Sequence, residues 1–104
     1  MSAGRSGKRV ADIEPARLAL LNAGTIEAAT LTECLAVDFA VLMRAALPEI
    51  AADAIAAMQK AAGEGISRRM ALAARLIHER RGMIAVEELR RHVSDTVRGW
   101  ACFV

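Results

Sequence analysis

The 104-residue chain predicts an all-α fold of stacked antiparallel helical hairpins. Hydrophobic residues make up 55% of it but aromatics only 3%, with no tyrosine, and alanine is the largest apolar contributor. Alanine and leucine favour helix, whereas the β-branched and aromatic residues that favour strands are sparse. Apolar residues also recur at i, i+3, i+4 and i+7, and the interruptions fall at residues that start or stop helices.

The first nine residues, MSAGRSGKR, are small, polar and basic. Residues 1–12 are expected to form a disordered basic tail and residues 13–104 an all-helical domain. A first helix is predicted over 15–23, with Glu14 and Pro15 in its first turn and Gly24 as a left-handed stop. Leu18, Leu21 and Leu20 are its apolar set. Thr30-Leu31-Thr32-Glu33 reads as a capping box opening a long helix that runs to about Leu47 and is closed by Pro48. Its stripe is Leu31, Cys34, Leu35, Phe39 and Leu42, with Val37, Ala40 and Val41 widening the apolar surface, so it is expected to be central.

Asp38 falls inside that stripe. A buried carboxylate must be paired, hydrogen-bonded or shifted upward in pKa. Asp38 is therefore a candidate buried functional acid, such as a general base, or else a helix cap or an arginine's partner.

An alanine-rich helix is expected over 48–62, burying Ile50, Ala54, Ile55 and Met58, and broken by Gly63-Glu64-Gly65. Ser67 then caps a helix over 68–81 that turns Met70, Ala73, Leu76 and Ile77 inward and stops at Gly82. A shorter helix over 84–92 carries Val86, Leu89 and Val93 inward. Ser94 or Asp95 caps the last one, 95–104, striped by Val97, Trp100, Ala101 and Val104. That stripe runs to Val104 with no cap behind it, which creates the expectation of a further repeat packed after it.

Net charge is +2, but it is unevenly spread. Residues 1–65 carry 6 basic and 8 acidic side chains, and residues 66–104 carry 8 arginines and 4 acids. A basic second half on a nearly neutral protein points to a local anionic partner. Arg68, Arg69, Arg75, Arg90, Arg91 and Arg98 are the candidate contacts to a nucleic-acid backbone, which needs guanidinium groups spaced along a surface rather than a fixed motif. A solvated face with pairs such as Arg75–Glu79 is the other reading of the same residues. Cys34 and Cys102 are expected to be small buried hydrophobes in a reducing cytoplasm. No run of 18 apolar residues predicts a membrane span. His78 and His92 lack ligand-spaced partners, and no phosphate loop or dinucleotide fingerprint occurs, so no metal or cofactor is expected.

The spacing Asp95-x-Val97-Arg98-x-x-Ala101 resembles the second-helix signature of HEAT-type repeats. Together with Leu21 to Ile50, Gly65 to Gly82 and His92 to Val104, it is similar to the N-terminal part of bacterial HEAT-repeat proteins of the DNA alkylation repair (AlkD-like) family. The resemblance implies a curved stack of hairpins whose basic concave face grips duplex DNA, and hydrolysis of the N-glycosidic bond of alkylated purines. It also implies an aromatic-lined channel with a catalytic acid. One Trp and two Phe fall short of such a channel, so no catalytic residue is assigned in this chain. The alternatives are a non-catalytic scaffold that binds protein, and a small homodimer burying Val97, Trp100 and Val104 of the C-terminal helix.

Overall fold

A computed structural model describes residues 12–103, and all regular structure among them is helical. The elements are α1 (Pro15–Ala23), α2 (Leu31–Ala36), α3 (Phe39–Ala46), α4 (Ala52–Lys60), α5 (Ile66–Leu89) and α6 (Asp95–Cys102). Apart from Asp12, the expected basic tail lies outside the described residues. No helix among them is long and apolar enough to cross a membrane.

Several boundaries follow from local chemistry in the sequence. Pro15 occupies the first turn of α1, where its missing N–H costs nothing, and Gly24 ends the helix at φ 76°. Thr30 caps α2 by accepting from the Glu33 N–H at 3.2 Å. Glu33 turns back to accept from the Ala29 N–H at 2.7 Å, one residue earlier than a standard capping box. Ser94 caps α6 through the Val97 N–H at 3.3 Å.

The long helix expected over 30–47 is two helices. Val37 and Asp38 are extended, with ψ of 132° and 106°. Asp38 is the cause: its Oδ1 accepts from the N–H groups of Ala40 at 3.0 Å and Val41 at 3.2 Å, restarting the chain as an N-cap. Its own N–H donates to Asn22 Oδ1 at 2.8 Å, which fixes the break against α1. Of the readings open for Asp38, the helix cap holds, and the residue is exposed rather than a buried acid. The break also redirects the stripe: Leu31 and Leu35 face solvent, while Val37, Phe39 and Leu42 are buried.

Other boundaries shift for similar reasons. α4 begins at Ala52, after a turn at Pro48, and still buries Ala54, Ile55 and Met58. Gly65, not Ser67, is the residue that precedes α5. Inside α5 the backbone leaves the helix at Gly82 (φ 80°, ψ 179°), the expected stop, and the second expected helix follows at once, so the two run on as one kinked element. Val93, expected inward, is exposed beyond the end of α5, and Cys102 is exposed as well.

The core is one cluster. α3 packs on α1 and α4, α5 packs on α6, and α6 also reaches α3. Leu42, Met43, Met58, Ile77, Val86, Val97 and Trp100 are its largest fully buried side chains. Trp100 meets Phe39 edge to face, with ring centroids 5.6 Å apart and planes at 61°, a contact worth about 0.5–1.5 kcal/mol beyond area burial. Val97 and Trp100 therefore face inward within one chain, where the homodimer alternative would have them at a seam; Val104 lies outside the described residues.

Candidate nucleic-acid interface

The first half of α5 presents Arg68, Leu72 and Arg75 on one face, spaced by four and then three residues. Facing them, α4 offers Ala57, Lys60 and Ala61, and Glu64 lies in the connection between the two helices. The alanines are too short to fill the space between the helices, leaving an open groove of about 540 Å³. Three cations and one acid line it. Arg68 pairs with Glu64 at 3.5 Å, but its side chain remains 83% exposed, and so loose a surface pair contributes little. Arg75 and Lys60 make no ion pair among the described residues. The Arg75–Glu79 pair that the spacing allowed does not form. Exposed cationic groups lining an open groove are suited to holding an anionic chain by charge and hydrogen-bond donation.

The remaining candidates lie elsewhere. Arg69 points away from Arg68, with its guanidinium carbon 4.7 Å from the centroid of the Phe39 ring. It borders a separate cavity of about 250 Å³ beside Leu35, Val37, Asp38 and Met58. Its Nε is buried without an acceptor. Arg90, at the far end of α5, pairs with Glu87 at 3.1 Å. Arg91 is exposed beside Glu87 and Glu88, which offset the positive charge there.

Arg98 is fully committed inside the fold. Its Nη1 donates to the carbonyls of His92 at 2.7 Å and Val93 at 3.0 Å, and its Nη2 pairs with Glu27. Of the six arginines read from the sequence, the groove brings together Arg68 and Arg75. It adds Lys60, which sequence reasoning passed over because it stands alone in an alanine-rich helix.

Two further polar clusters are structural. Arg17 binds the Glu33 carboxylate through both Nε and Nη2, tying α1 to α2. Asp95 accepts from the Ala28 N–H at 3.0 Å and from the Cys34 thiol at 3.7 Å. Burial, then the Asp95 charge, push the Cys34 thiol up from its ordinary pKa. It is thus a poor nucleophile. Among the described residues no three His, Cys, Asp or Glu side chains converge as a metal site would require.

No family model matches the chain, and no curated protein or solved structure shows significant similarity to it.

Proposed function

We propose that this protein binds the phosphate backbone of duplex DNA through the α4–α5 groove, as a HEAT-like helical protein akin to the DNA alkylation repair (AlkD-like) family. The observation that carries this reading is the alignment of Lys60, Arg68 and Arg75 along one open groove with a single, weakly engaged acid. The α5–α6 hairpin supports the family resemblance. Val97 and Ala101 are buried where that pattern needs packing residues, and Asp95 and Arg98 clamp a neighbouring loop. The reading assigns binding to these residues and base excision to none of them. It places the protein with cytoplasmic DNA.

Fluorescence anisotropy with a labelled duplex tests it. Binding should weaken with salt, with log K falling about 2.7 per log unit of salt if all three cations neutralise phosphates. K60E/R68E/R75E should lose at least about tenfold in affinity, each lost contact removing one released counterion. R90E/R91E, on the acid-balanced end of α5, should change it far less. Absence of binding even at low salt would remove the nucleic-acid reading and leave the protein-binding scaffold.

A further inference from the structure

His92 lies where three parts of the chain meet: the end of α5, the start of α6 and the end of α1. Its Nδ1 accepts a hydrogen bond from the Ser94 N–H at 3.0 Å. Ser94 is the residue whose hydroxyl caps α6. An imidazole nitrogen that accepts carries no proton, so this contact requires the neutral ring with its proton on Nε2. The other edge of the ring rests on Gly24. A Cβ built at Gly24 would lie 3.1 Å from His92 Cε1 and 3.0 Å from Leu42 Cδ1. The left-handed glycine that ends α1 thus also makes room for the imidazole.

The surrounding charges favour the neutral form. α6 contributes Arg98, whose guanidinium donates to the His92 carbonyl, and the positive end of its helix dipole. The loop after α1 contributes Glu27, already bound to Arg98. Gly24 of α1 and Leu42 of α3 bring no charge. Half-burial, then the Arg98 charge, hold the imidazole below the ordinary histidine pKa.

We propose that His92 is an acid-sensitive latch: its neutral ring holds the α5–α6 turn against the end of α1, and its protonation releases the first turn of α6. On protonation Nδ1 becomes a donor facing the Ser94 N–H, and the imidazolium stands beside Arg98. The Ser94 cap and the Arg98–Glu27 and Asp95–Ala28 contacts depend on the placement of that turn and loosen together. Because the folded ring resists the proton that the opened ring accepts, the latch is fully closed above the ordinary histidine pKa. Its hold is lost as pH falls from that value through the folded one, and declines no further below it.

Nuclear magnetic resonance on the full chain tests the latch. The His92 ring should show the Nε2–H tautomer at neutral pH and a titration midpoint below about 6.5. Protection of the Ser94 amide and the α6 amides should fall by up to about tenfold per pH unit within the linkage window. H92N keeps an oxygen where Nδ1 accepts but cannot titrate, so it should retain neutral-pH protection and lose the acid-dependent fall. H78N, at an exposed position, should leave that fall in place. An Nδ1–H tautomer, a midpoint at or above the ordinary value, or an acid-dependent fall that persists in H92N would overturn the proposal. If H92N fails to fold, the titration and tautomer of the unaltered chain still decide.

Discussion

Asp95 shows how one carboxylate organises its surroundings. It stands in the first turn of α6, yet both oxygens serve other segments, accepting from the Ala28 N–H and the Cys34 thiol. D95A should leave the Ala28 N–H without an acceptor in a part-buried site, lowering stability by about 1–3 kcal/mol in thermal or urea unfolding. The same change removes a negative charge beside Cys34, so its thiol should react faster with an alkylating reagent at neutral pH. In the unaltered chain, exposed Cys102 should react well before Cys34. The sequence offered Ser94 or Asp95 as the cap of α6; Ser94 takes that role, and the partners of Asp95 were not legible. Ala28 and Cys34 lie 67 and 61 residues away, beyond the reach of any spacing argument. Asp38 misled in the opposite way: its spacing fitted the stripe of a continuous helix, and the local competition of its carboxylate for backbone N–H groups broke that helix instead.

At the scale of elements, the breaks are as specific as the helices. Gly82 sits at φ 80° and ψ 179°, a region that side-chain-bearing residues avoid. A Cβ there would meet no atom within 4 Å, so the cost of G82A is one of backbone conformation. It should destabilise by about 1–3 kcal/mol, measured by urea denaturation. The glycine was legible in the sequence as a helix end, and so were Pro15, Gly24, Thr30 and Ser94. Each acts through its own backbone or its immediate neighbours. The helix that resumes after Gly82 was legible too; what the sequence did not convey was how sharply the two halves join. Nor did it show that α4 faces α5 across alanines short enough to leave the groove where Lys60 joins Arg68 and Arg75. Such juxtaposition arises only once two helices pack.

At the scale of the whole molecule, one small core must hold the six helices of the described residues. Trp100 is fully buried against Phe39, joining α6 to α3, and α6 packs on α5 as well. W100A should cost about 3–5 kcal/mol. That is a large fraction of the roughly 5–15 kcal/mol that holds a domain folded. Circular dichroism during urea titration would register the change as a much lower midpoint, with the helices lost in one transition. An all-helical chain with one buried cluster was readable from composition and periodicity, because both report on burial averaged over many residues. Which helix meets which was not.

The ties from Ala28 to Asp95 and from Glu27 to Arg98 carry a kinetic consequence. Helical proteins ordinarily fold fast because their contacts are close in sequence. Here the last helix must find a loop about seventy residues upstream. Closing so long a loop is entropically uphill until both ends are already shaped. The junction therefore belongs late on the folding route, and weakening it should mainly quicken unfolding while leaving the rate of folding nearly unchanged. The residues that decide how long the protein stays folded are then those joining the α1–α2 loop to α6, and the helix-starting signals spread along the chain chiefly set how fast it gets there.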